Sequence, residues 1–119
     1  MTWRITASAP RSEARGDWDG EIAEEREALR LNPNIDLAHV RLGLALGGKG
    51  DYEGMIAEER EALRLNPNNA SAHNLLGFAL EQKGDRQGAL QEYRTAYELD
   101  PKDTNYRQDY ERVLQQVNH

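Results

Sequence analysis

Apolar residues in the stretch DLAHVRLGLALGG, residues 36–48, recur at intervals of three and four, the spacing that gathers side chains along a helix. Gly50 follows, able to take the left-handed conformation that stops a helix, and Asp51 behind it can cap the next one. The run from there to Leu65 consists largely of good helix formers, Glu, Arg, Ala and Leu, with Ile56, Leu63 and Leu65 available for burial. Pro67 cannot continue a helix and pushes Asn66 out of helical conformation, so a turn is fixed there. The pattern therefore predicts an antiparallel helix pair within residues 36–69.

That pair is repeated along the chain. The segment IAEEREALRLNPN occurs at 22–34 and again, unchanged, at 56–68. Pro33, Pro67 and Pro101 stand 34 residues apart, and so do the pairs Gly16-Asp17, Gly50-Asp51 and Gly84-Asp85. Gly20, Gly54 and Gly88 keep the same phase. The period 70–103 supplies Leu75, Leu76, Phe78, Leu80, Leu90, Tyr93 and Leu99 as its apolar set. One pair cannot bury its own apolar face, so the pairs must stack. After Pro101, Tyr106, Tyr110, Val113, Leu114 and Val117 fall at helical spacing, with Asp103 or Thr104 as the cap of a closing helix.

This pattern resembles the tetratricopeptide repeat. The 70–103 unit matches that family at Leu76, Gly77, Leu80, Ala89, Tyr93, Ala96 and Pro101, and the 36–69 unit at Leu42, Gly43, Leu46, Ala62 and Pro67. The resemblance implies an all-α, right-handed solenoid of antiparallel helix pairs, about two and a half repeats and a C-terminal capping helix. Residues 1–15 form a degenerate or frayed segment, 16–35 hold the second helix of a first unit, 36–69 and 70–103 are full units, and 104–119 are the cap. Departures fall at Met55, where a small residue is usual, and at Glu59 and Glu25, where an aromatic is usual. The two glutamates predict less packing between neighbouring pairs.

The front end reads as damaged. Ser8 stands where a large apolar residue is expected, and Pro10 falls in a helix interior, at a cost of ~3 kcal/mol or more. Trp18, Ile22 and Leu29 are thereby left without an intramolecular lid. Either the chain begins inside a longer repeat array, or another copy of it covers this face. The 37–48 helix is apolar almost all round, a pattern usual for a helix buried on every side, so Leu37, Val40 and Leu44, with Phe78 extending the patch, either call for a cover or are scattered surface residues. Gly47-Gly48, each costing ~1 kcal/mol against alanine, predicts a weak helix end, simply tolerated or able to hinge.

Charge and composition narrow the function. Residues 1–15 hold three Arg and one Glu, or +2, and the remainder twelve basic against twenty acidic residues, or −8, so the body is more acidic than the net −6 of the chain. An acidic body repels phosphate backbones and suits a basic or neutral peptide better than nucleic acid. No run approaches the ~20 apolar residues of a membrane span, and the N-terminus lacks a signal-peptide core. Without cysteine there is no disulfide or thiolate metal site. A cytoplasmic location is the default, with export not excluded.

No catalytic, cofactor or metal constellation emerges. His39 and His73 occupy equivalent repeat positions and read as packing residues, with no ligand set for zinc around them. Ser71 and His73 are two apart and point away from each other on a helix. The Glu-rich runs at 24–27 and 58–61 carry Arg26, Arg30, Arg60 and Arg64 at pair spacings and read as solvated faces. The sequence thus points to a non-enzymatic protein-interaction scaffold. The resemblance places a peptide or helix in the concave groove formed by the first helix of each unit. Its lining would be Leu37, Val40, Arg41, Leu44, Ser71, Asn74, Phe78 and Glu81, joined by Gln108 and Arg112 of the last helix. The family's clamp for a peptide carboxyl terminus uses Lys, Asn and Arg; only Asn74 and Arg112 echo it, which disfavours that mode. The alternative is a self-associating module, a dimer or longer homo-oligomer joined through Trp18, Ile22 and Leu29.

Overall fold

The computed structural model describes residues 17–118, and the expectations placed on residues 1–15 lie outside them. Six helices follow one another: α1 (Trp18–Leu31), α2 (Asp36–Gly48), α3 (Tyr52–Leu65), α4 (Ala70–Gln82), α5 (Arg86–Leu99) and α6 (Thr104–Val117). Their ends are written in local chemistry. Asp51 accepts from the Gly54 amide and Asp85 from the Gly88 amide, both at 2.9 Å, while Asn69 and Asp103 cap α4 and α6 at 3.1 Å. Asp17 stands at the start of α1 without such a bond. Gly50 and Gly84 take φ of +89° and +90°, and the amide behind each reaches back to Leu46 or Leu80, at 2.8 and 2.9 Å. Asn66, ahead of Pro67, is extended at φ −145°.

Each helix packs on the next in the chain, and α2 also touches α4, so the first helices of successive pairs share the inner side of an all-α solenoid. The core is a row of small clusters. Ile22, Leu42, Ala45 and Leu46 form one, Val40, Ala62 and Ala72 a second, and Ala89, Leu90, Tyr93 and Val113 a third. Fully buried alanines let the helix axes come close. Leu80, Tyr110, Leu114 and Val117 close the last cluster, and Tyr97 stacks on Tyr110 with ring centroids 5.8 Å apart, so α6 covers the open face of α5.

Two expectations about packing need correction. Glu59 does not loosen the second unit; it is 0% exposed, beside Met55 at 1%. The Glu59 carboxyl fills the hollow left by Gly43, where a Cβ would come within 2.4 Å of Oε2. In the next unit the Tyr93 ring fills the same hollow beside Gly77, and its hydroxyl donates to Glu81 at 2.8 Å. The residue equivalent to Glu81 is Gly47, which has no side chain to offer, and both Glu59 oxygens lack a hydrogen-bond partner. Burial, aided by the neighbouring Glu58 charge, pushes the Glu59 pKa up to about 9. Gly47 and Gly48, for their part, mark close approach instead of a hinge. A Cβ at Gly47 would meet Met55 Sδ at 2.3 Å, and one at Gly48 would meet the Trp18 indole at 2.4 Å.

Candidate functional site

The first helices of the pairs turn one side to the inner surface. There α2 presents Leu37, Arg41 and Leu44, and α4 presents Ser71 and Phe78, all exposed. Leu37, Leu44 and Phe78 are 48%, 43% and 37% exposed, large values for apolar side chains with polar alternatives available. Val40 departs from the expected lining: it is 5% exposed and packs with Ala62 and Ala72. A helix apolar on all sides gives no sequence signal for which apolar residues turn inward, and Val40 is one that does.

Between these helices lies an open cavity of about 460 Å³. Leu44, Met55, Leu75, Phe78 and Tyr93 give it an apolar wall, with Trp18 against Gly47 and Gly48 on the N-terminal side and Asn74, Asp109 and Arg112 on the C-terminal side. Of the expected groove residues, Leu44, Asn74, Phe78 and Arg112 meet here. Leu37, Arg41, Ser71 and Gln108 do not line the cavity. Glu81 borders it through its bonds to Arg112 and Tyr93. Sequence reasoning missed Trp18, Met55, Leu75 and Asp109. For Asp109 a signal existed, since it lies three residues before Arg112 on the same face of α6. Trp18 reaches the cavity across the two glycines, which alone hinted at close approach.

The polar side of the cavity is a closed network. Arg112 pairs with both oxygens of Glu81, its Nη2 lying 3.2 Å from Oε1, and also approaches Asp109 at 3.5 Å. Asn74 donates to Asp109 at 3.2 Å, and the Arg112 guanidinium lies 5.9 Å from the centre of the Tyr93 ring. The Arg112 hydrogen bonds hold the Glu81 carboxyl below the usual range. Burial first, and then Glu81, raises the Tyr93 hydroxyl. The donors Asn74 and Arg112 are thus already engaged by this chain's own carboxylates.

The N-terminal face offers less than expected for self-association. Ile22 is buried, and Trp18 and Leu29 are partly buried against Leu42 and Leu46, because α2 itself covers that side of α1. The histidines bridge elements within each unit. His39 Nδ1 lies 2.7 Å from Glu58 and Nε2 3.0 Å from the Pro33 carbonyl; His73 repeats both contacts with Glu92 and Pro67 at 2.8 and 2.9 Å. Both His73 partners are acceptors, so both ring nitrogens are satisfied only when each carries hydrogen, and Glu92 raises its pKa. Among the described residues no group of three metal-ligating side chains gathers, and no helix is long and apolar enough to cross a membrane.

Two family models match this arrangement of helix pairs: one described as TPR repeat over residues 48–84, one as tetratricopeptide repeat over 70–103. Residues 48–103 belong to the tetratricopeptide-repeat family. Solved tetratricopeptide-repeat structures share its fold. The first such domain of Spaghetti (RPAP3), bound to the HSP90 peptide SRMEEVD, aligns with TM-score 0.84 at 15% identity, covering 92% of this chain and 87% of that one. The Sgt2 domain from Aspergillus fumigatus aligns with TM-score 0.83 at 18% identity, over 97% and 78% of the two chains. The Arabidopsis OM64 domain aligns with TM-score 0.79 at 18% identity, over 91% and 86%. No curated protein matches the sequence. Tetratricopeptide repeats are non-enzymatic protein-interaction modules, and among the described residues the inner surface holds Leu37, Leu44 and Phe78 of the five large exposed apolar side chains, the others being Leu31 and Leu99.

Proposed function

We propose that this protein holds a segment of another polypeptide in the concave groove of its repeats, with Leu44 and Phe78 as the apolar centre of the site. The observation that carries the reading is the open cavity of about 460 Å³, walled by apolar side chains from α2 to α5 and edged by Asn74, Asp109 and Arg112. Its size lies in the ~300–1,000 Å³ range of ligand pockets. An apolar centre ringed by polar groups is the arrangement that concentrates binding energy in protein interfaces. The solved neighbour that holds a heptapeptide lends the reading further support.

The test is site-specific photo-crosslinking in cells of the source organism. A photoreactive phenylalanine analogue is placed at Phe78 on the inner surface or at Arg60, exposed on α3, the second helix of its pair. Discrete adducts from position 78, with none of them from position 60, are the expected result. The same adducts from position 60 alone would overturn the reading.

A further inference from the structure

Resting on that groove reading, we infer that the occupant is a peptide segment presenting large apolar side chains next to a Lys or Arg, and that carboxylate-rich segments are rejected. The cavity wall formed by Leu44, Met55, Leu75 and Phe78 carries no charge, so the side chains that fill it must be apolar. Its volume admits more than one of them. Charge enters only at the C-terminal side, where the acceptors of Glu81 and Asp109 stand against Arg112, with Arg86 near enough for its charge to reach Glu81.

Donor occupancy points the same way. A peptide carboxylate entering this side would need the Arg112 and Asn74 donors, which are committed to Glu81 and Asp109. Freeing them strips two carboxylates of their partners at a half-enclosed surface, a penalty the incoming acid would then share by lying beside them. A Lys or Arg side chain needs no such rearrangement. It can use Asp109, held by Asn74 and 3.5 Å from Arg112, as a further acceptor and leaves the Arg112–Glu81 pair intact. Arg41, also on the inner surface, lies outside the cavity. The net charge of −6 draws cationic segments over longer range in the same sense.

The experiment is selection of a phage-displayed random twelve-residue library on the immobilised full chain, with the Leu44→Glu variant as counter-target. Selected peptides and SRMEEVD are then titrated by fluorescence anisotropy against wild type, Leu44→Glu and Asp109→Asn. The expected consensus has large apolar residues beside Lys or Arg. Its affinity should exceed that of SRMEEVD at least tenfold and fall several-fold on Asp109→Asn. An acidic consensus that Leu44→Glu abolishes, or SRMEEVD binding as tightly, overturns the charge assignment and leaves the groove reading standing. Clones that bind Leu44→Glu as well as wild type, or no clone specific to wild type, overturn both. Circular dichroism melting of each variant separates loss of binding from loss of fold.

Discussion

Glu59 and Tyr93 occupy the same hollow in successive units, and the contrast between them locates the weakest point of the core. Tyr93 fills its place with a ring and sends its hydroxyl to Glu81, whereas Glu59 brings an unpartnered carboxyl to full burial. A folded pKa of about 9 against an ordinary value of 4.5 means the native state keeps a proton that the unfolded chain releases. The sign follows: the contribution of Glu59 is fully present below about pH 4.5, falls as pH rises, and levels only above about pH 9. A tenfold difference in proton affinity is worth ~1.4 kcal/mol, so the span is several kcal/mol, a large part of what a domain of this size possesses. His73 acts in the same direction, but its contribution is complete below its ordinary value of 6.5 and is lost only as pH rises through its raised folded value. The window from pH 5 to 6.5 therefore belongs to Glu59. Wild-type protein should lose several degrees of Tm across that window, and Glu59→Gln should flatten the slope. Parallel slopes in the two proteins would show that Glu59 does not titrate as its burial requires.

At the scale of helices, the contact between α1 and α2 runs through two glycines. An exposed helical Gly→Ala change ordinarily gains ~1 kcal/mol. Gly48→Ala should instead lower stability by ~1 kcal/mol, because the new methyl would sit 2.4 Å from the rigid indole of Trp18. Urea unfolding measures the difference, and a gain of ~1 kcal/mol would show that Trp18 does not pack there. Helix boundaries were legible in the sequence because they are local: Gly50, Asp51, Asn66 and Pro67 act on their own backbone and behave as read. Val40 and Glu59 were not legible in the same way. Their fate depends on what the neighbouring helix presents, Ala62 and Ala72 for the first and Gly43 for the second. The groove was legible in part: Leu44, Asn74, Phe78 and Arg112 stand where the repeat register put them. Met55 and Trp18 came to the cavity from helices that the register assigns to the outside.

For the whole molecule, the repeat architecture explains why binding and stability should be linked. Each unit contacts only its neighbours, so a partner spanning α2, α4 and α6 adds contacts between elements that otherwise meet in pairs. A ligand bound to the folded form alone raises apparent stability by mass action. The same geometry makes the α2–α4 surface the joint on which the account depends, since exposed Leu44 and Phe78 stand on either side of it. The most direct measurement is the affinity of a partner peptide for wild type and for Leu44→Glu, with Arg60→Glu as the control away from the groove. A carboxylate at a central apolar contact should cost ~2 kcal/mol or more, about thirty-fold in Kd, while Arg60→Glu leaves Kd unchanged and both variants remain folded. Equal affinity of Leu44→Glu and wild type would contradict the account.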